Sequence, residues 1–257
     1  MSAADPEFDA LVAEGEAAPI VGWDFSWLEG RATEERPSWG YARMVAARLP
    51  GVDALLDVET GGGEMLASVG ALPSLTVATE PWQPSVSVAA NRLRGLGAHV
   101  VAADGPELPF RGGAFDLVIS RHPRATFWPA IARVLRPGGT FLSQQIGARN
   151  VEELGAAIRG PRPSRSPGPA RGPVRERAGA EANGLEVVDV READLRCVFD
   201  DIAAVVYFLR LVVWIVPDFT VDRYRAELRA LHDRMRADGP FVATSRRFLI
   251  EALKPAR

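Results

Sequence analysis

The sequence predicts an α/β fold built on a doubly wound, mostly parallel sheet. Three observations carry that prediction. Short apolar runs without alternation recur between stretches of helical spacing. The first of these runs leads straight into Gly61-Gly62-Gly63. Acids close three successive runs, at Asp57, Glu80 and Asp104. Strands apolar on both faces belong to a parallel sheet covered by helices on both sides. Right-handed crossovers wind such a sheet so that ligands meet it at the carboxyl ends of its strands.

In chain order, residues 7–15 have helical spacing and the aromatic segment Trp23 to Leu28 follows. A second helix is expected from Ser38, a suitable N-cap, to Leu49, with Pro50-Gly51 ending it. Strands are expected at Ala54–Val58, Ser74–Thr79, Ala98–Ala103, Phe115–Ser120 and Thr140–Gln145. Helices are expected between them at Met65–Val69, Val86–Leu96 and Ala125–Leu135, the last closed by Arg136-Pro137-Gly138-Gly139. Residues Arg159 to Pro173 hold five prolines and four arginines and read as a flexible loop. Beyond it come a helix near Arg175–Ala182, a strand at Leu185–Val190, helices at Ile202–Val216 and Val221–Ala237, and a final strand at Arg246–Leu253.

The chain has 257 residues, room for one decorated domain. The division expected is a helical and aromatic N-terminal lid over 1–50 and a catalytic domain over 51–257, with a helical insertion at 195–238. A net charge of −3 offers no basic field for nucleic acid. One cysteine, Cys197, excludes a disulfide framework and a thiolate-rich zinc site, and no metal is expected. Met1 to Asp9 is acidic and small, unlike a signal peptide. The longest apolar run, Ile202 to Val216, is broken by Arg210 and is too short to cross a bilayer. These features imply a cytoplasmic protein that meets no membrane, as a monomer or homodimer.

The glycine turn is where chemistry is expected. Glycine lets the chain turn sharply from strand to helix and lets a ligand approach the backbone, and the amides that open the helix favour an anionic group. A carboxylate at Glu80 can accept from both ribose hydroxyls, which selects a nucleoside, and Asp104 on the same edge can meet an adenine amino group. A nicotinamide fingerprint needs a third small residue after Gly61 and Gly63, and Leu66 stands there instead.

Four motifs resemble those of the class I S-adenosylmethionine-dependent methyltransferases, in particular the group similar to ubiquinone-biosynthesis methyltransferases. They are Leu55-Leu56-Asp57-Val58-Glu59-Thr60-Gly61-Gly62-Gly63-Glu64, Asp104-Gly105-Pro106-Glu107-Leu108-Pro109-Phe110, Phe115-Asp116-Leu117-Val118-Ile119-Ser120 and Val134-Leu135-Arg136-Pro137-Gly138-Gly139-Thr140. The resemblance covers Leu55 to Gln145, about a third of the chain. It implies a Rossmann-like seven-stranded sheet with an antiparallel last strand, which suits Arg246–Leu253. It implies S-adenosyl-L-methionine as donor and S-adenosyl-L-homocysteine as product. Asp57 would support the turn and the methionine amino group, with Glu59 and Thr60 beside it. Gly61 and Gly63 would approach the donor, Glu80 with Pro81 would hold the ribose, and Asp104 and Gly105 would face the adenine. Ser120 and Arg121 would lie beside the sulfonium, and Trp39 and Tyr41 would be donor neighbours from the lid. The chain departs from the pattern at Glu59, where the family has glycine; a carboxylate there either crowds the methionine portion or attracts its positive charges.

His122, just after the fourth core strand, is the candidate general base, with a pKa suited to the work. Tyr207, Trp214 and Phe219 are candidates for the acceptor wall. The acceptor expected is a small molecule. The alternatives are an RNA base, for which Arg162, Arg165 and Arg171 would touch phosphates, and a non-catalytic module that binds S-adenosylmethionine.

Overall fold

The computed structural model describes residues 5–161 and 172–256. In chain order its elements are α1 (Pro6–Ala17), β1 (Ala32–Glu34), α2 (Tyr41–Arg48), β2 (Ala54–Val58), α3 (Glu64–Ala67), β3 (Leu75–Glu80), α4 (Gln83–Leu93), β4 (His99–Ala102), β5 (Phe115–Arg121), α5 (Trp128–Val134), β6 (Leu135–Ile146), α6 (Glu152–Arg159), α7 (Pro173–Ala182), β7 (Glu186–Phe199), α8 (Ile202–Leu211), α9 (Arg225–Asp238) and β8 (Phe241–Leu253). The arginines at 162, 165 and 171 lie outside the described residues, as does most of the expected loop.

The strands form one sheet in the order β1-β7-β8-β6-β5-β2-β3-β4. β4, β3, β2, β5 and β6 are joined by parallel pairings, and β8 runs antiparallel to β6, as the sequence predicts for the last strand. The sheet has eight strands rather than seven because Ala32–Glu34 pairs antiparallel with Cys197–Phe199 of β7. Three residues carry no readable periodicity, so this strand exists only through its distant partner.

Two compact units make up the chain. The sheet unit gathers residues 37–148, 172–193 and 247–256, and the helical unit gathers 5–36, 149–161 and 194–246. In the sheet unit, successive residues of one strand feed opposite faces, since strand side chains alternate. Leu55 of β2 packs with Val45 of α2, Leu66 of α3 and Leu93 of α4, beside Ile119 and Leu142. Leu56 packs on the other face with Ile131 and Val134 of α5, beside Val118 and Phe141. This two-sided burial is why the strands read as unbroken apolar runs.

Two of the motifs quoted above fasten this sheet. Asp116 is buried; its Oδ2 accepts from the backbone N of Asp53 and Ala54 at 2.7 and 2.9 Å, and its Oδ1 pairs with Arg136 at 2.7 Å. The Arg136-Pro137-Gly138-Gly139 segment does not merely close a helix, because β6 already begins at Leu135. Gly139 permits this: a Cβ there would lie 2.9 Å from the Arg136 carbonyl and 3.0 Å from that of Asp116.

Other boundaries move for local reasons. α2 is opened by Gly40 at φ 62°, not by Ser38. α8 stops at Leu211. β7 runs on to Phe199, so the expected insertion begins in a strand. In the helical unit almost every residue of α8 is buried, among them Ile202, Val205, Val206 and Leu209. α1 packs on it so closely that a Cβ on Gly15 would lie 2.5 Å from the Ala203 carbonyl. Each helix has an acid cap: Asp5 accepts from Glu7 and Phe8 amides, and Asp201 accepts from the Ala204 amide at 2.7 Å. Among the described residues no helix is long and apolar enough to cross a membrane.

Candidate active site

Parallel pairing brings the carboxyl ends of β2, β3, β4 and β5 to one edge of the sheet unit. The glycine turn after β2 is tied to β3 by three contacts, the longest from the Glu59 amide to the Thr79 hydroxyl at 3.4 Å. The Thr60 amide donates to the Thr79 carbonyl at 2.9 Å, and the Gly61 amide donates to Glu80 Oε2 at 2.9 Å. The other Glu80 oxygen accepts from the Trp82 amide at 3.0 Å. Glu80 is buried, and burial raises its pKa, opposed by these two amides. Gly61 sits at φ 64° with open space where a Cβ would be, whereas a Cβ on Gly63 (φ 81°) would meet the Leu93 side chain at 3.0 Å. One glycine leaves room above the turn and the other lets α3 pack on α4.

Asp57 lies beneath the turn, 2% exposed, and accepts from the Thr60 hydroxyl at 2.7 Å. Burial pushes its carboxyl up to about 7; Glu80 adds to the rise, while Thr60 and Arg121 oppose it. Ser120 is buried and donates to the Val58 carbonyl at 2.7 Å, so it braces β5 against β2. Arg121, the next residue, is exposed.

Glu59 adopts φ 58°, in the left-handed region that glycine enters freely and other residues enter at a cost. The backbone at this position is thus one that favours glycine. The Glu59 side chain is only 8% exposed and is held by Arg124, whose backbone N donates to Oε2 at 2.8 Å and whose Nη2 donates to Oε1 at 3.3 Å. The same guanidinium donates to Asp104 Oδ1 at 2.7 Å. Arg124 therefore bridges two expected donor-binding acids, and sequence reasoning missed it. An arginine in an unpatterned loop carries no signal until the fold brings its acids together.

Asp104 also accepts from the Gly105 amide at 2.7 Å. A Cβ on Gly105 would lie 2.3 Å from the Phe127 ring, so glycine here admits an aromatic face. Val58, Gly105, Ser120, Ala125 and Phe127 line one small depression. Pro81, next to Glu80, is half-buried.

Trp39 and Tyr41 are buried in the sheet unit. The Tyr41 hydroxyl donates to the carbonyls of Ser120 and Leu142 at 3.1 and 2.9 Å, and Trp39 Nε1 donates to Gln144 Oε1 at 2.8 Å. His122 is half-buried at φ 58°, with its Nε2 3.0 Å from Gln144 Nε2. Burial, then Arg121 and Arg247, hold its pKa well below the usual histidine range. Of the other wall candidates, Tyr207 is core: its ring stacks on Trp27 at 4.8 Å and its hydroxyl donates to the Asp24 carbonyl at 2.8 Å. Trp214 is 45% exposed, tilted on Trp23, and Phe219 stacks on Tyr224.

Residues 56–143 match the model of a family described as "Methyltransferase domain". Over these residues, about a third of the chain, the sequence is similar to that domain. Its fold is that of several solved structures. BH2331 of Bacillus halodurans C-125 is 20% identical with a TM-score of 0.60, over 82% of this chain and 96% of that one. YcgJ of Bacillus subtilis is 18% identical with a TM-score of 0.59, over 84% and 98%. The [4+2]-cyclase SpnF is 21% identical with a TM-score of 0.52, over 98% and 93%. No curated protein matches. The fold therefore serves more than one chemistry, and the residues of the site itself must carry the functional argument. The narrower likeness to the ubiquinone-biosynthesis group rests on the sequence motifs alone.

Proposed function

We propose that the chain transfers a methyl group from S-adenosyl-L-methionine to a small-molecule acceptor. The observation that carries this reading is Glu80, a buried carboxylate at the carboxyl end of β3, steadied by two backbone amides beside a turn with open space over Gly61. Each carboxylate oxygen retains a lone pair for a ribose hydroxyl. The residues present fit the donor. Asp57 and Glu59 supply negative charge for its ammonium and sulfonium, and Thr60, Gly61 and Gly63 supply close backbone. Glu80 and Pro81 take the ribose; Asp104 and Gly105 take the adenine with Phe127. Ser120 and Arg121 close the side toward β5, and Trp39 and Tyr41 back the site.

When bound, the donor supplies a methyl carbon already activated by the sulfonium. The protein's task is then to align the acceptor and exclude water. Arg124 spans Glu59 and Asp104, so these acids face the donor only as its guanidinium yields to the donor's own cations and adenine. An acidic chain with net charge −3 favours a small molecule over RNA as acceptor. The chain works in the cytoplasm.

Calorimetric titration with S-adenosylmethionine tests donor binding. Saturable heat is expected, lost in Glu80→Ala; no heat at about millimolar donor, where binding of ~4 kcal/mol or stronger would show, sinks the proposal. Release of S-adenosylhomocysteine on incubation with a metabolite extract then separates an enzyme from a binding module.

A further inference from the structure

His122 ends a chain of donors that the sheet unit assembles from three places. Trp39 precedes α2, Gln144 lies on β6 and His122 follows β5. The indole Nε1 of Trp39 donates to Gln144 Oε1 at 2.8 Å. An indole N–H cannot accept, so this bond fixes the orientation of the Gln144 amide. Its oxygen faces Trp39, and its NH2 faces the imidazole, with Nε2 3.0 Å from His122 Nε2. An amide nitrogen only donates. His122 Nε2 is therefore the unprotonated, accepting nitrogen, and the proton of the neutral ring sits on Nδ1.

The backbone sets the ring in the same frame. The His122 amide donates to the Gln144 carbonyl at 2.7 Å, opposite the Arg121–Gln144 register pair. Its φ of 58° is a conformation that persists in a non-glycine residue only where the surroundings over-determine it. Trp39 and Gln144 are buried, at 9% and 4% exposure, so water does not compete for the relay. Arg121 and Arg247 are the charged groups that act on the ring, and with burial they keep it neutral.

A ring held this way cannot serve as a base through Nε2. That lone pair is engaged, and a proton there would set donor against donor. What the ring offers is one N–H in a field of positive charge, which suits an oxygen of an anion. We propose that His122 donates Nδ1–H to a carboxylate or phosphate oxygen of the methyl acceptor, and that Trp39 and Gln144 are positioning residues that fix its tautomer. Naming the ligand as the acceptor rests on the methyl-transfer reading; the tautomer and the anion site do not.

Long-range 1H–15N correlation of the imidazoles tests this directly. The chain has three histidines, and His122→Asn assigns the signal. The expected pattern is a protonated Nδ1 and a bare Nε2, unchanged from about pH 5.5 to about pH 8, where an ordinary histidine titrates. A protonated Nε2, or titration near an ordinary pKa, overturns the proposal. Gln144→Glu presents an acceptor to Nε2 and is expected to reverse the pattern; an unreversed pattern in the folded variant also overturns it. If that variant does not fold, Gln144→Met is expected to give a mixture of tautomers, and an unchanged single tautomer there counts against the relay. Acetate and inorganic phosphate, each added to about 50 mM, are expected to shift the wild-type Nδ1 signal and to do so at least ~10-fold more weakly in Gln144→Glu. No shift with either anion removes the anion site. Whichever anion binds tighter tells carboxylate from phosphate. An absent calorimetric response to S-adenosylmethionine beside an intact imidazole pattern refutes the donor reading and leaves this one standing.

Discussion

The helical unit buries α8 as an almost unbroken apolar surface, from Ile202 to Leu209. The sheet unit buries Asp57, Thr79, Glu80, Ser120 and Gln144 just as deeply. Among the described residues, the buried polar and charged side chains of the helical unit are only His232 and Ser245. Burying polar groups costs stability unless each finds a partner. The sheet unit accepts that cost at the carboxyl ends of its strands, where Thr60, Gly61, Trp82 and Val58 supply the partners. The contrast teaches where to look for chemistry: one unit is built for packing, the other holds charge and donors in fixed places.

The largest expected effect tests the packing half. Phe199→Ala empties a fully buried site in the helical unit and should cost about 3–5 kcal/mol in urea denaturation. Its heat of donor binding, measured where the variant is folded, should not change; a changed heat would break the division of labour.

Asp57→Asn tests the polar half. The folded Asp57 carboxyl sits at about 7, above its ordinary value of 3.8. The folded state therefore holds this proton more tightly than the unfolded chain does. Its contribution falls as pH rises from about 4 through 7 and is fully lost above that window. Asparagine has no such loss and should be more stable at about pH 8 by at most ~4 kcal/mol, with no difference below about pH 4. Thermal melts across pH check the slope. A cationic donor favours the ionised carboxylate, so wild-type affinity should rise with pH through the same window, with a proton released on binding within it.

A smaller effect comes from Glu59→Gly. It removes a left-handed non-glycine residue and should raise stability by about 1 kcal/mol. It should also lower preference for S-adenosylmethionine over S-adenosylhomocysteine, which lacks the sulfonium charge, by roughly two- to five-fold at this partly screened site. Competitive calorimetry reads that ratio. The smallest change is expected from Arg177→Ala, whose exposed pair with Glu181 lies on α7 away from both cores. It should stay within about 0.5 kcal/mol in the same melts.

The five core strands were legible as short apolar runs, and two of them are marked at their ends by an acid, as at Asp57 and Glu80. Less could be read where an element depends on a distant partner. β1 is three residues paired with Cys197–Phe199, and Ser38 lost the helix start to Gly40 because Tyr41 anchors the first turn on β5 and β6 carbonyls. The surroundings of His99, exposed on an edge strand, and of His232, buried against Phe8, are likewise set by distant partners.

By itself the sequence determined the class of fold, the line of acids and the glycine turn, since these are local: a strand period, a backbone that must turn, a carboxylate at a strand end. Only the tertiary structure decided what holds each group. It placed Arg124 between Glu59 and Asp104, raised Asp57 by burial, and set Trp39, Gln144 and His122 in one relay. Those residues lie far apart in the chain, and hydrogen-bond direction, desolvation and charge act through space, so no pattern of neighbours could announce them.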